Sequence, residues 1–379
     1  MTRTLEILDR LIAFPTVSRD SNLDLIDWVQ TLLNNAGFKV TRIWSPDRKK
    51  AGLFARIGPN VDGGICLSAH TDVVPVDGQI WTRPPFILTD EGDRVFGRGT
   101  TDMKGFLASA LALAERVGQH QLSAPLSLSI SYDEEIGCVG LQQMMPELEK
   151  LIGKPCAVIV GEPTSMQVAI GHKGKTAIDV TCYGQAGHSA LAPNFVNAIH
   201  VAADFVGQMQ TLQERLKNGP VDEDYSIPYS TVHVGKITGG QALNIVPADA
   251  QISMEFRHLA EVPPAELQSQ IEDIATQISQ TYLSPTPIFT NVVNAYPSLS
   301  IAPTNSIVTW ARQMVAGSLT TKVPFGTEAG FFSDLGLNAV AVGPGDMASD
   351  GHKPDEGLSK SELAACDTMM GNFERSLRP

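Results

Sequence analysis

The segment Ile65-Cys-Leu-Ser-Ala-His-Thr-Asp72 carries the clearest fold signal in this chain, because a short apolar run ends there at a histidine and an aspartate. The same pattern recurs along the sequence, with strand-like runs at residues 65–69, 95–99, 126–132, 157–160 and 339–342. Helical patterns occur at residues 4–13, 22–36, 106–117, 306–315 and 359–376. Strands that alternate with helices predict an α/β fold with a mostly parallel sheet covered by helices.

Polar side chains that can bind metal follow these strand-like runs. They are His70, Asp72, Asp102, Glu134, Glu135, Glu162 and, ten residues after the last run, His352. Loops at the carboxyl ends of strands in α/β sheets converge on one crevice. Two imidazoles with several carboxylates suit zinc or a similar divalent ion, and carboxylate-rich sites often hold two ions. The sequence therefore predicts a metallohydrolase, in which cobalt or manganese could replace zinc.

Each of these residues also has a purely structural interpretation. His70 and Asp72 could form a turn, although Asp72 is also placed to orient the His70 ring. Asp102 could cap the helix that follows it, which is the commonest role of such an aspartate. Glu162 follows a buried strand, and a charge there needs a partner. His352 could simply be exposed in a polar loop.

The adjacent pair Glu134 and Glu135 could be solvated charges at a strand end. If the strand remains extended there, neighbouring side chains point to opposite faces. One glutamate could then bind metal while the other carries a proton for the substrate. The combination of two histidines and three acids on separate strand ends favours the metal site over the separate structural interpretations.

Composition limits the remaining possibilities. The chain has 379 residues, 43% of them hydrophobic and 18% charged, which predicts a globular protein with two domains. A net charge of −13 argues against nucleic acid or an anionic membrane as a partner. The N-terminus lacks a signal-peptide pattern, and no apolar stretch is long enough to span a membrane. Five scattered cysteines predict free thiols in the cytoplasm.

The pattern changes near Gly174. Alternating strands and two helices predict a βαββαβ unit with an antiparallel sheet, ferredoxin-like in order, from segments 175–183, 197–216, 231–237, 250–258, 264–280 and 286–293. His352 must belong to the same domain as the earlier ligands. We therefore predict a discontinuous catalytic domain at residues 1–174 and 295–379, with residues 175–294 inserted as a second domain.

Several motifs resemble the two-zinc aminoacylase, glutamate carboxypeptidase and desuccinylase-like amidohydrolases. They run through most of the chain in the order Ser68-Ala-His-Thr-Asp72, Arg98-Gly-Thr-Thr-Asp-Met-Lys-Gly105, Asp133-Glu-Glu-Ile-Gly137, Gly161-Glu-Pro163, Gly187-His-Ser189 and His352. Further segments resemble the branch that deacetylates N-acetylornithine: Gly171–Lys175, Ala186–Pro193, Asn197–Ile199, Gly239–Pro247 and Gly326–Gly330. Ala190 departs from this pattern, which often has a serine there.

The resemblance implies specific roles in the metal centre. Asp102 would bridge two zinc ions, with His70 and Glu162 completing one ion and Glu135 and His352 the other. Glu134 would be the general base and acid, and Asp72 would hold His70.

The resemblance also implies that the inserted domain is a lid that mediates a homodimer. His188 would reach the partner's active site and help to stabilise the oxyanion, whereas Arg257 and Asn244 would hold the substrate carboxylate. For His188 a turn residue, and for Arg257 a surface ion pair, are the alternatives.

N-acetylornithine carries an ammonium group, and we expect Glu328, between glycines 326 and 330, to bind it. The same chemistry on succinyl-diaminopimelate, another N-acyl amino acid or a dipeptide is the nearest alternative. A non-catalytic binding protein is a more distant one, because the ligands and Glu134 are all present.

Overall fold

The computed structural model describes residues 2–282 and 287–379 of the chain. These residues form two compact units. The first unit comprises the chain up to Gly171 together with Leu299–Val323 and Thr327–Pro379. The second unit comprises His172–Ser298 and Pro324–Gly326. The first unit is therefore discontinuous in sequence.

Nine α-helices lie within the described residues. Their bounds are α1 (Arg3–Ile12), α2 (Leu23–Asn35), α3 (Gly105–Val117), α4 (Val139–Ile152), α5 (Ala198–Leu216), α6 (Pro264–Thr281), α7 (Ser306–Met314), α8 (Ala329–Asp334) and α9 (Lys360–Leu377). Helix α3 is rich in alanine and leucine and is buried on all sides along most of its length, whereas the other helices bury one apolar stripe. None of the helices in this part of the chain has both the length and the apolar character needed to cross a bilayer.

The strands of the described residues are mostly short. Their bounds are β1 (Lys39–Trp44), β2 (Ala51–Ile57), β3 (Ile65–His70), β4 (Thr89–Glu91), β5 (Arg94–Phe96), β6 (Leu126–Ser131), β7 (Ala157–Val160), β8 (Val168–His172), β9 (Gly174–Tyr183), β10 (Gly187–His188), β11 (Thr231–Gly239), β12 (Ile245–Val246), β13 (Asp249–His258), β14 (Ile288–Tyr296), β15 (Leu299–Ser300), β16 (Thr320–Val323), β17 (Ala339–Ala341) and β18 (Gly357–Ser359).

The first unit is built on a nine-stranded sheet in the order β1-β2-β6-β3-β7-β17-β8-β15, with β16 paired to β8. Its central strands β6, β3, β7 and β17 are parallel to one another, and β2 and β1 continue the sheet in antiparallel orientation. Every residue of β3, β6 and β7 is buried, as expected for parallel strands covered on both faces. The predicted α/β fold is confirmed.

The second unit contains an antiparallel sheet in the order β11-β13-β9-β14. Side chains alternate between buried and more exposed along β9 and β13, and helices α5 and α6 share an apolar core with the buried set. The predicted βαββαβ order is confirmed. Thr286, where the last strand was predicted to begin, lies outside the described residues, and β14 is observed at Ile288–Tyr296.

Candidate metal centre

Three neighbouring parallel strands bring most of the predicted ligands together. His70 is the last residue of β3, Glu162 follows β7, and Glu134 and Glu135 follow β6. Because β3 lies between β6 and β7, their carboxyl ends are side by side. Gly161 allows close packing before Glu162, since a Cβ at this position would lie 2.0 Å from the Phe106 ring.

The segment that precedes Asp102 differs in structure from the one predicted. The run 95–99 is not a strand of the central sheet: β5 ends at Phe96 and belongs to a small sheet with β4 and β18. Gly99 then adopts a left-handed conformation (φ 87°), which ends the extended backbone. Asp102 lies in an irregular turn, Thr100–Lys104, and its peptide bond to Met103 is cis. Its side chain does not cap α3, whose N-cap residue is Lys104.

The Asp102 carboxylate joins two sets of possible ligands. One set, here called the inner group, consists of His70, Asp102 and Glu162, and the other, the outer group, consists of Asp102, Glu135 and His352. Within each group the ligand atoms lie within 4.8 Å of one another. His70 Nε2 is 3.1 Å from Asp102 Oδ1, and His352 Nε2 is 3.2 Å from Asp102 Oδ2.

The charges in these groups fit a bound cation. Glu162 is buried, and its Oε1 atom has no hydrogen-bond partner among the described residues. Burial raises the pKa of Glu162 well above its ordinary value, and the nearby charges of Glu134 and Asp102 add to the shift. Burial likewise raises the pKa of Glu135 to about 7, with Asp102 contributing. A divalent ion would satisfy the free oxygen and supply the missing positive charge, and imidazole with carboxylate is a suitable donor set.

The two histidines differ in their surroundings. His70 is buried; burial lowers its pKa, but hydrogen bonds to Asp102 and Asp72 outweigh burial and raise the pKa well above its ordinary value. The His352 side chain is 48% exposed and its backbone is left-handed (φ 59°). Hydrogen bonds to Asp102 and Glu135 raise the pKa of His352 to about 10. The interpretation of His352 as a simple exposed loop residue is therefore wrong.

Asp72 holds more than the His70 ring. The nearest Asp72 atom to His70 Nδ1 is the main-chain oxygen at 2.9 Å, whereas the carboxylate Oδ1 is at 3.5 Å. The carboxylate accepts hydrogen bonds from the main-chain N–H groups of Glu134 and Glu135 at 3.0 and 3.3 Å. Asp72 thus connects the end of β3 to the glutamate pair.

Glu134 and Glu135 do not lie in an extended strand. Strand β6 ends at Ser131, and Asp133 has a left-handed backbone (φ 54°) that starts a turn. The prediction that strand alternation separates the two side chains is therefore wrong, and the turn sets their directions. Burial raises the pKa of Glu134 well above its ordinary value; His70 opposes this shift, and Glu135 adds to it.

Two contacts were missed from the sequence. The Ser18 hydroxyl donates to Asp72 Oδ2 at 2.6 Å, and the Cys138 thiol donates to Glu134 Oε1 at 3.3 Å. Cys138 lies four positions after Glu134, so its proximity could have been suspected from the turn. Ser18 is too distant in sequence to give such a signal.

Glu328 lies just before α8 and is 1% exposed. Its Oε2 atom accepts a hydrogen bond from the Ser68 hydroxyl of β3 at 3.1 Å, whereas Oε1 is buried and has no partner among the described residues. Burial raises the pKa of Glu328. The residue predicted to bind the substrate ammonium group is therefore a buried carboxylate, and one of its oxygens has no partner among the described residues.

The three remaining predicted residues belong to the second unit. His188 pairs with Ile245 between strands β10 and β12, and the Ser189 N–H donates to the Asn244 main-chain oxygen at 3.1 Å, so His188 and Asn244 are close together. Both residues are exposed. Arg257 lies on β13, where its Nε donates to Glu255 Oε1 at 2.9 Å and its Nη1 to the Pro324 oxygen at 3.4 Å.

Known proteins resemble the chain over nearly its whole length. It is 33% identical over 362 residues to an acetylornithine deacetylase from Shigella sonnei, covering 93% of this chain and 92% of the relative. Its fold resembles an M20 family metallo-carboxypeptidase from Sulfolobus solfataricus (TM-score 0.79, 20% identity, 99% of both chains). It also resembles a dinuclear metal-binding peptidase of the M20 family from Bacillus subtilis (TM-score 0.70, 16% identity, 98% of this chain and 96% of the other).

The profile of peptidase family M20/M25/M40 matches residues 66–373, which include every residue assigned above to the inner and outer groups. The predicted family resemblance and the predicted enzyme class are thereby confirmed. The chain belongs to peptidase family M20/M25/M40 and is a metal-dependent hydrolase that acts on amide bonds.

Proposed function

We propose that this enzyme removes the acetyl group from N-acetyl-L-ornithine, giving L-ornithine and acetate, in the cytoplasm as part of arginine biosynthesis. The observation that carries the proposal is the 33% identity to acetylornithine deacetylase over 93% of the chain. Similarity to the peptidases of known structure is below 25% identity and supports the fold alone.

The inner and outer groups would hold two divalent ions, for which zinc is our first choice and cobalt or manganese the alternatives. Two such ions, when bound, lower the pKa of a water molecule and polarise the acyl carbonyl. The number of ions is proposed from the geometry, because Asp102 offers one carboxylate oxygen to each group.

Glu134 is the proposed proton carrier. Its carboxylate takes a proton from the attacking water as the new carbon–oxygen bond forms at the acyl carbon. The protonated side chain then donates this proton to the amide nitrogen as the carbon–nitrogen bond breaks, so that the amine leaves in neutral form.

Residues of the second unit are proposed to bind the rest of the substrate. Arg257 is a guanidinium suited to a bidentate grip on the ornithine carboxylate, with Asn244 as a second donor. His188 would stabilise the oxyanion of the tetrahedral intermediate. The main-chain proximity of His188 and Asn244 supports a shared role for their loops.

A homodimer formed through the second unit is part of this proposal. Strand β11 lies at one edge of its sheet, where unpaired main-chain groups can pair with another strand. Beside it, a groove of about 650 Å³ is lined by residues of α5 and β11, in which apolar side chains such as Val206, Val234 and Ile237 lie next to polar ones such as Gln210 and Glu214. Light scattering should give twice the chain mass for the native protein, and Ile237→Asp should lower it; a monomeric native protein would contradict this arrangement.

Glu328 is proposed to balance the charge of the ornithine ammonium group, because its Oε1 atom has no partner among the described residues. Glu328→Gln should therefore lower kcat/KM for N-acetylornithine by about tenfold or more, and much less for uncharged N-acetylmethionine. An equal loss on both substrates would contradict the role of Glu328 in ammonium binding.

The substrate itself is tested with purified, metal-loaded protein and a panel of amides. We expect kcat/KM for N-acetylornithine to exceed the values for N-succinyl-diaminopimelate, N-acetylmethionine and a dipeptide. Preference for another member of the panel would overturn the substrate while leaving the amide-hydrolase class intact.

A further inference from the structure

A buried carboxylate outside both ligand groups gathers the main chain around Asp102. Glu356 is 1% exposed, and its Oε1 atom accepts hydrogen bonds from the N–H groups of Thr101 and Asp102 at 2.9 and 3.0 Å. Its Oε2 atom accepts from the Gly99 N–H at 2.9 Å and from Arg98 Nη1 at 2.8 Å. One side chain thus receives four donors from the segment that carries the shared ligand.

The same carboxylate is connected to the loop of His352. Arg98, which is also 1% exposed, donates from Nη1 to the Lys353 main-chain oxygen at 3.2 Å and from Nη2 to Gln79 Oε1 at 2.5 Å. Gln79 Nε2 in turn donates to the His352 main-chain oxygen at 2.9 Å. The Arg98 guanidinium lies over the Trp81 ring, 4.9 Å from the ring centre, at a distance at which the cation is attracted to the ring face.

These contacts support two ligands of the outer group that the central sheet does not hold in place. His352 is half exposed and lies on a left-handed backbone, and Asp102 lies in an irregular turn, so neither ligand is held by a strand of the central sheet. Glu356 contacts the main chain of Asp102 directly and reaches that of His352 through Arg98 and Gln79. We propose that Glu356 is a positioning residue of the metal centre, which holds Asp102 and the His352 loop at the separation that the outer group requires.

This role rests on the proposed metal centre and makes a chemical demand that only a carboxylate meets. Both oxygens of Glu356 accept two hydrogen bonds each. A glutamine has one oxygen and one NH2 group, and the NH2 group would face two donors that it cannot accept. Glu356→Gln therefore disturbs the Asp102 segment without changing the size of the side chain.

The buried ion pair of Glu356 and Arg98 could instead contribute to folding stability alone. Zinc affinity distinguishes that role from a role in positioning the metal ligands. Metal-free protein is titrated with zinc in competition with a chromogenic chelator, and circular dichroism checks the fold before each titration. We expect Glu356→Gln to weaken binding of at least one zinc ion by about 10- to 100-fold, the usual effect of removing a group that supports a metal ligand. Gln79→Ala removes the donor to the His352 main-chain oxygen and the acceptor for Arg98 and Trp81, but it leaves Glu356 in place. It should weaken one ion by a smaller factor and leave the other unchanged.

Glu374→Gln is the matched control, because Glu374 is also largely buried and paired with an arginine, Arg116, at 2.9 Å. It should leave both zinc affinities unchanged. Native zinc affinities in folded Glu356→Gln would overturn the proposal. If Glu356→Gln does not fold, Gln79→Ala decides, because native zinc affinities in that variant would also overturn it. A native protein that binds fewer than two zinc ions would instead contradict the metal centre itself.

Discussion

Two of the buried histidines, His70 and His172, have opposite properties because their surroundings differ. His70 and His172 are both almost completely buried. Hydrogen bonds to Asp102 and Asp72 raise the pKa of His70 in spite of burial. Burial lowers the pKa of His172 to about 4, and the neighbouring His258 contributes to the decrease.

Among the described residues, the groups that act on His172 are aromatic, neutral or cationic. The Tyr296 ring makes an edge contact with the His172 ring, and the ring centres are 6.5 Å apart. The His172 Nδ1 atom lies 3.1 Å from the Lys173 main-chain oxygen. Lys173 directs its ammonium group to the main-chain oxygens of Ile227 and Tyr229. Burial of a histidine therefore does not by itself identify a metal ligand. The nearby carboxylates distinguish His70 from a histidine packed in a core.

The largest expected effect is at Asp102, the residue shared by both ligand groups. Asp102→Asn should remove the affinity for both ions and lower kcat/KM for N-acetylornithine by roughly 10³-fold or more, since the lost polarisation is worth several kcal/mol. Bound metal and turnover are measured together. Asp90→Asn, which alters an exposed ion pair with Lys360, is the control and should change neither quantity. Retention of two ions by Asp102→Asn would contradict its bridging position.

The next prediction separates the outer group from the inner group. His352→Ala should weaken one ion by at least about 100-fold, above the range for residues that only support a ligand, and should leave the second ion bound. Glu162→Gln should weaken the other ion. In the native protein, dialysis against a chelator should remove the outer ion first, because His352 is half exposed and Glu162 is buried. Simultaneous loss of both ions from His352→Ala would show that the two groups do not act as separate sites.

The smallest expected effect concerns His172 and is a change in stability rather than activity. The folded-state pKa of about 4 lies below the ordinary value of 6.5, so the unfolded chain binds this proton more readily. The contribution that neutral His172 makes to the unfolding free energy is fully present above pH 6.5 and is lost as the pH falls towards 4. Between pH 7.5 and 5 this contribution amounts to about 2 kcal/mol.

Between pH 7.5 and 5, the unfolding free energy of His172→Gln should therefore decrease by about 2 kcal/mol less than that of the native chain. Urea denaturation of the metal-free proteins measures both decreases. The exposed His200, in the first turn of α5, is the control, and His200→Gln measures what the loss of an exposed histidine does to the same comparison. The same pH dependence in native protein and His172→Gln would show that His172 is not held neutral by the fold.

Sequence reasoning predicted the parts of the site that follow from regular structure. His70 and Glu162 end buried parallel strands, so their convergence follows from the fold. The run at residues 95–99, which precedes Asp102, was expected to be a strand of the central sheet, whereas β5 belongs to a separate small sheet, because a short run before a glycine-rich loop does not indicate which strands it pairs with. The turn that separates Glu134 from Glu135 begins at a left-handed aspartate, and such a conformation is not specified by residue type.

The support around the ligands was the least predictable part. Glu356 lies four positions after His352, but its four donors come from residues 98–102, more than 250 positions earlier. Nothing in the pattern of either segment indicates that they meet. Substrate residues such as Arg257 were suggested by family resemblance, and their roles remain predictions because they depend on a bound substrate.

The central claim is that Glu134 carries the proton at a two-metal centre, and the most direct test compares native protein with Glu134→Ala. Amine release from N-acetylornithine and the number of bound ions are measured on the same zinc-loaded samples. We predict two ions in both proteins, with turnover lower in Glu134→Ala by about 10²- to 10⁴-fold, the usual contribution of general acid–base catalysis. Turnover that persists at the native rate in Glu134→Ala with both ions bound would contradict the account.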